Sequence, residues 1–224
     1  MRIGGFQKFS LIDYPGKMAA TVFTQGCNFR CGYCHNPQLA CPEKFQDLIE
    51  VSVIMDFLKS RQGQLQGVVV TGGEPTIQKG LPEFLAKLKD MGYAVKLDTN
   101  GSNPKILSSL IDRHLVDFIA MDVKTSLGRY STAVGVNANI EKIKASIDLI
   151  LKSELLHQFR TTLVKSHCSR EDLKDIRGLI GSSRHYVLQS FMPWPEIIDK
   201  KLLSQEQYTH EEVQDLRLEF QRGV

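Results

Sequence analysis

Several things are scarce in this chain, and each shortage narrows its class. No apolar run approaches the roughly 20 residues that a membrane-crossing helix needs, and no long apolar targeting segment opens the sequence. No membrane is therefore expected, and a cytoplasmic location is. Charge of one sign is also short: 28 basic against 25 acidic side chains leave a formal +3, which argues against nucleic acid as a primary partner. Repeats, low-complexity tracts and flexible linkers are missing. Cysteine is limited to five residues, and Cys27, Cys31, Cys34 and Cys41 crowd one short stretch while Cys168 stands alone. That distribution does not fit a framework of paired disulfides.

What remains is 224 residues with 42% hydrophobic and 24% charged side chains, enough for one substantial core. A single domain over 1–224 is expected, with an N-terminal extension over 1–18 and a C-terminal helical segment over 204–222. The patterning predicts six strands: AATVFTQ, GVVVTGGEP, YAVKLDTNG, VDFIAMDVK, HQFRTTLVK and HYVLQSFMPW. Helices are predicted between them, over Gln46 to Arg61 with an apolar face of Leu48, Val51, Met55 and Leu58, and then in LPEFLAKLKDMG. Others follow over Lys105 to Asp112, over Asn139 to Glu154, in EDLKDIRGLI, and from Tyr208 to Arg222. Strands alternating with helices imply an α/β protein with a parallel sheet, and an incomplete (β/α)6 barrel is the expected architecture. Right-handed crossovers would gather the strand exits, and with them the polar motifs, on one side.

Those exits carry the chemistry. Cys27-x-x-x-Cys31-x-x-Cys34 supplies three soft sulfur ligands from one loop. Three thiolates can hold a [4Fe-4S] cluster and leave its fourth iron open, whereas a redox dithiol needs only two sulfurs. Zinc is the alternative, with His35 or Cys41 completing four ligands. The turn Thr71-Gly72-Gly73-Glu74-Pro75 exposes backbone at close range because glycine has no Cβ. Asp98, Asp122 and Lys124 follow later strands, where charge-rim and ligand-contact readings both stand.

Taken together, Gly26-Cys27-Asn28-Phe29-Arg30-Cys31-Gly32-Tyr33-Cys34-His35-Asn36-Pro37 and the later strand exits resemble the radical S-adenosylmethionine superfamily. The resemblance implies that Cys27, Cys31 and Cys34 bind one [4Fe-4S] cluster. It also implies that S-adenosylmethionine is reductively cleaved there to a 5'-deoxyadenosyl radical that abstracts hydrogen. It places Gly72, Gly73 and Glu74 at the amino end of that cofactor, and Tyr33 and Asn36 beside the same molecule. Asp98 and Lys124 fall to its ribose and methionyl ends, with Asp122 in the same cofactor-binding group. A monovalent cation near Asp98, Thr99 and Asp122 is a further implication.

The opening GFQKFSLIDYPGK and the compact length are similar to short anaerobic ribonucleoside-triphosphate reductase activating proteins. The implied partner is then a glycyl-radical enzyme, most specifically that reductase, with a flavodoxin-like or other one-electron reductant. Cys41 and Cys168 cannot supply the cysteine-rich domain of multicluster activases. A radical enzyme acting on a purine-like precursor, such as a 7-carboxy-7-deazaguanine synthase, is the enzymatic alternative, and a metal-stabilised interaction protein without activity is the other. Arg160, Gln189, Phe191 and Trp194 are candidate substrate-entrance residues. No base accompanies Cys168, and the local sequence of Gly223 does not make it a glycyl-radical site.

Overall fold

Runs of β-branched residues with no polar alternation form strands that are covered on both faces, and Gly67–Gly72 (GVVVTG) is one: Val68, Val69 and Val70 are all buried. In the computed structural model, which describes residues 1–181, 183 and 185–221, the chain is a mixed α/β protein with a partly parallel sheet core. Its strands are β1 (Ile3–Ser10), β2 (Ala19–Thr24), β3 (Gly67–Gly72), β4 (Ala94–Thr99), β5 (Phe118–Asp122), β6 (Leu156–Leu163) and β7 (Tyr186–Ser190). Its α-helices are α1 (Pro37–Ala40), α2 (Val51–Ser60), α3 (Leu81–Asp90), α4 (Pro104–Asp112), α5 (Tyr130–Val134), α6 (Ile140–Lys152), α7 (Arg170–Ile180) and α8 (His210–Leu216). Among the described residues, no helix is long and apolar enough to cross a membrane.

The chain divides into two compact units. The first comprises Met1–Asn28, Gln38–Thr99 and Lys105–Ile119. There β1 runs antiparallel to β2, while β2, β3 and β4 are parallel neighbours. The register sets Thr24 opposite Gly72 and Val70 opposite Leu97, so these strands end together. Helix α3 covers them with Leu81, Phe84, Leu85 and Leu88, whose spacing of three and four puts all four on one face. Removing a buried leucine such as Leu88 would cost about 2–5 kcal/mol. Lys87 and Lys89 sit in the last turn, where a positive charge suits the helix dipole.

The second unit comprises Phe29–Pro37, Asn100–Pro104 and the chain from Ala120. Its strands β6 and β7 are parallel, with Arg160 opposite Val187 and Leu163 opposite Ser190. The exit of β5 is tied to β6 by Val123 N–H donating to the Arg160 carbonyl at 2.8 Å. Helix α7 begins with a capping box: the Ser169 hydroxyl accepts from Asp172 N–H, and the Asp172 carboxylate accepts from Ser169 N–H at 2.8 Å.

Four expectations need correction. The expected N-terminal extension contains β1, a strand of the sheet that Gly4, Gly5 and a run of exposed residues conceal from pattern reading. The helix expected from Gln46 begins at Val51, because backbone groups of residues 46–49 are engaged elsewhere. The Gln46 carbonyl accepts from the Gln25 side-chain amide at 2.8 Å, and Ile49 N–H donates to the Ile3 carbonyl at 2.8 Å. Leu48 is accordingly exposed, and the buried face of α2 is Ile54 and Leu58. The last α-helix starts at His210, capped by Thr209, and passes into a π-helical turn at Arg217–Gln221. Arg222, the expected end of that helix, and Gly223 lie outside the described residues.

Candidate functional site

In the first unit the site is built on a backbone junction. Gly73 N–H donates to the Thr24 carbonyl at 2.8 Å, Glu74 N–H donates to the Gly26 carbonyl at 2.8 Å, and Gly26 N–H donates to the Leu39 carbonyl at 2.7 Å. Gly72 has φ +110°, a conformation that side chains resist, and a Cβ on it would overlap the Thr24 backbone. A Cβ on Gly73 would lie 2.6 Å from the Gly26 carbonyl carbon and 2.9 Å from the Leu39 carbonyl oxygen. The two glycines let β3's exit close against the residue that precedes Cys27.

Glu74 is fully buried at this junction, and its Oε1 accepts from Thr76 N–H at 3.0 Å, from the Thr76 hydroxyl at 2.5 Å and from the Thr99 hydroxyl at 2.7 Å. Its carboxylate thus positions the turn. Asp98 and Thr99 are consecutive in β4 and point to opposite faces. Asp98 instead shares a face with Lys96, whose Nζ lies 2.6 Å from its Oδ1, and it accepts from the Thr71 hydroxyl at 3.2 Å. Lys96 was not singled out from the sequence, although the spacing of two residues along a strand is the signal that pairs it with Asp98.

In the second unit the structure brings together Cys31, Tyr33, Asp122, Lys124 and Arg160. Asp122 accepts from Lys124 Nζ at 2.9 Å and from Arg160 Nε at 2.8 Å. Burial opposes ionisation of Asp122, but the Arg160 and Lys124 charges overcome it and hold its carboxyl well below the usual range. Burial likewise opposes a charged Lys124, yet Asp122, Tyr33 and Cys31 raise its affinity for a proton well above the ordinary value. Tyr130 packs beneath the pair: its hydroxyl accepts from Lys124 N–H at 3.4 Å and lies 3.4 Å from the Asp122 carbonyl, to which it donates. Arg160, expected at a substrate entrance, is occupied with Asp122.

The cysteines are thiols rather than disulfide halves; Cys31 is buried, and Cys27 and Cys34 are partly exposed. Cys34 N–H donates to the Cys31 carbonyl at 3.0 Å, folding the loop into a turn. Burial pushes the Cys31 thiol up to about 11, partly offset by Lys124. Among the described residues, no three His, Cys, Asp or Glu side chains are already gathered to hold a metal ion. The donor set is nevertheless suited to iron and sulfide: three thiols on one loop, with the Lys124 charge offsetting part of the burial that opposes the Cys31 thiolate. Tyr33 adds a second mark of an absent ligand, since its hydroxyl is buried with no hydrogen-bond partner.

The other expected residues fall into place around this loop. The Tyr33 ring lies 5.9 Å from His167 and 6.5 Å from Phe191. His35 stacks on Phe191 at 5.8 Å with a 16° tilt, and its Nε2 donates to the Met192 carbonyl at 2.8 Å. Phe191 is buried, and His35, Met192 and Trp194 line a cavity of about 220 Å³. Asn36 and Gln189 are exposed. Cys41 and Cys168 are buried, and burial with nearby Asp172 pushes the Cys168 thiol up to about 12.

Comparison with known proteins defines the class: the chain belongs to the radical SAM superfamily, whose family profile matches residues 21–176. It is 35% identical over 197 residues to a Methanocaldococcus jannaschii protein named "Putative glycyl-radical enzyme activating enzyme MJ1227", covering 85% of this chain and 80% of that relative. It is 33% identical over 133 residues to the 7-carboxy-7-deazaguanine synthase of Methanopyrus kandleri, covering 50% of this chain and 51% of that one. The crystal structure of SuiB from Streptococcus suis superposes with a TM-score of 0.70 at 12% identity, over 89% of this chain and 44% of SuiB. At that identity the likeness shows the fold alone, and the chain spans less than half of SuiB's length. The partly parallel sheet resembles the (β/α)6 barrel of radical SAM proteins.

Proposed function

We propose that this chain is a glycyl-radical enzyme activase that holds one [4Fe-4S] cluster and S-adenosylmethionine and acts on an anaerobic ribonucleoside-triphosphate reductase. The observation that carries the reading is the extent of similarity to the Methanocaldococcus jannaschii relative, 85% of this chain and 80% of that one. The match to the deazaguanine synthase, by contrast, stops at about half of each. Cys27, Cys31 and Cys34 would hold the cluster, and a flavodoxin-like or other one-electron reductant would supply the electron. When bound, cluster and cofactor supply a carbon radical able to remove hydrogen from a glycine of the partner.

The chain's own residues do the positioning. The ammonium of Lys124, kept charged by Asp122, offers a cation to the cofactor's methionyl carboxylate. The unpartnered Tyr33 hydroxyl offers a donor beside the cysteine loop, and Gly72 and Gly73 bring backbone where a side chain would stand. Asp98 is assigned to the ribose, with Lys96 holding it in place. A monovalent cation at Asp98, Thr99 and Asp122 would compete with Lys96, with the Glu74 bond to Thr99, and with Lys124 and Arg160. The reading therefore gives these carboxylates to side-chain cations.

The test is anaerobic reconstitution of the protein and of Cys27→Ala, Cys31→Ala and Cys34→Ala, with Cys41→Ala as control. Iron content and 5'-deoxyadenosine are measured with the reductase present, and the paramagnetic resonance spectrum is followed. A partner radical whose hyperfine splitting collapses on glycine deuteration, lost in the three variants and kept in the control, is expected. Cofactor cleavage that requires a deazapurine precursor and yields no protein radical would assign the chain to the small-molecule enzymes instead.

A further inference from the structure

The stretch Phe9 to Lys17, FSLIDYPGK, supplies no residue to the candidate site described above. Tyr14 from this stretch is buried, but Phe9, Leu11 and Ile12 are 51%, 65% and 87% exposed. Beside them, in the same unit, lies a cavity of about 320 Å³ lined by Lys8, Phe9, Phe57, Arg61, Gln64 and Leu65. Phe57 is its apolar centre: its ring meets Phe6 edge-on at 5.3 Å and carries Lys8 Nζ at 5.6 Å and the Arg61 guanidinium at 5.4 Å. Among the described residues, neither Lys8 nor Arg61 forms an ion pair. Asp13, the acid nearest Lys8 in sequence, accepts from the Thr21 hydroxyl at 2.8 Å.

Strand β1, which carries Lys8 and Phe9, has an open edge. Away from β2, the Ile3 carbonyl accepts from Ile49 N–H at 2.8 Å, and residues 4–9 form no backbone bond on that side among the described residues. A lysine on an edge strand can serve to block pairing. Here Lys8 lies over the Phe57 ring, at the rim of the cavity.

We propose that this edge and cavity bind an extended segment of a protein partner, in which an apolar side chain flanked by carboxylates enters the cavity and the backbone adds to β1 as a strand. Three observations select that occupant. The open edge offers backbone donors and acceptors to a strand. The cavity's aromatic and aliphatic wall takes an apolar side chain, with Phe9, Leu11 and Ile12 extending the contact. The two charged side chains that line the cavity are both basic and form no ion pair among the described residues, which selects carboxylates and disfavours a second copy, since pairing two such edges would set Lys8 and Arg61 against themselves.

The test uses the full chain and two fluorescein-labelled peptides with blocked ends, Glu-Leu-Glu-Leu-Glu-Leu-Glu and its lysine counterpart, in fluorescence anisotropy titrations. The acidic peptide is expected to bind about tenfold more tightly than the basic one, and to lose about tenfold with Lys8→Glu combined with Arg61→Glu. Ile12→Asp, at a side chain with little packing to lose, should weaken binding without lowering the melting temperature. N-methylation of alternate peptide amides should weaken binding as well, because it removes strand donors and leaves the leucines. Equal affinity for the two peptides, no binding of either, or indifference to both N-methylation and charge reversal would overturn the proposal.

Discussion

Replacing Gly73 by alanine tests whether the backbone junction beside the cysteine loop is as rigid as its geometry implies. The added Cβ would stand 2.6 Å from the Gly26 carbonyl carbon and 2.9 Å from the Leu39 carbonyl oxygen, and would overlap the Gly26 oxygen outright. All are backbone atoms, so no rotamer change relieves the collision. Overpacking of this kind costs about 1–3 kcal/mol. Moving Gly26 aside would also stretch the Glu74 N–H bond to its carbonyl, worth about 1 kcal/mol. A loss of about 3 kcal/mol lowers the melting temperature of a chain this size by about 6–12 °C. The control is Gly178→Ala inside α7, where no atom lies within 4 Å of the new Cβ, and where helix propensity should add up to about 1 kcal/mol. Calorimetric melts of both variants, with iron content after anaerobic reconstitution, separate the effects: Gly73→Ala should fall in both, and Gly178→Ala should rise in the first alone. A Gly73→Ala protein melting within about 2 °C of the parent would refute the argument, because the junction would then yield at almost no cost.

Tyr33→Phe removes a buried hydroxyl that has no partner, so the ligand-free protein should melt at the same temperature or higher, gaining up to about 1 kcal/mol, while S-adenosylmethionine affinity of the reconstituted protein falls. A loss of stability in the ligand-free form would mean that the hydroxyl is bonded. Lys124→Met leaves Asp122 to Arg160 alone and should weaken S-adenosylmethionine binding about tenfold or more with iron content nearly intact, which equilibrium binding beside iron quantification would show. Asp172 is held below the ordinary carboxyl value: burial opposes its charge, but Ser126, Ser169 and Arg129 overcome that. Its contribution is thus present above the unfolded pKa of about 3.9 and is lost as pH falls through the lowered folded value. Asp172→Asn should cost about 2 kcal/mol at neutral pH and flatten the acid limb that begins near pH 5, a limb that stays unchanged if Asp172 is a bystander.

The parallel part of the fold is legible because Val68 to Val70 and the strands like it carry unbroken apolar runs that end in polar residues, a pattern that buried strands require. Strand β1 hides because an edge strand need not alternate, and two glycines remove the side chains that pattern reading relies on. At the site, residue types and spacing identify the cysteine loop and the glycine turn, since both depend on local chain chemistry. Pairing does not show in the same way. The pairing of Arg160 with Asp122 depends on how β5 and β6 lie together, and the stacking of His35 on Phe191 joins residues far apart in the chain, so neither contact shows in the local sequence. Helix α5 brings Tyr130 beneath Lys124 from a segment whose sequence, SLGRYSTAV, gives no hint of that burial.

The hydrogen bond from Gly26 N–H to the Leu39 carbonyl joins the two ends of residues 27–38 and so makes the cysteine segment a ring closed by its own backbone. Bringing the ends of a free segment of that length together would take about 2 kcal/mol of chain entropy. Folding of the strands has already met that cost before any ligand arrives. The three thiols are consequently carried on a segment whose two ends are already fixed, a restriction that a freely diffusing peptide with the same spacing would lack. Substitutions within the ring can change which atoms it offers, whereas an insertion at Gly26 or Leu39 would loosen the closure itself.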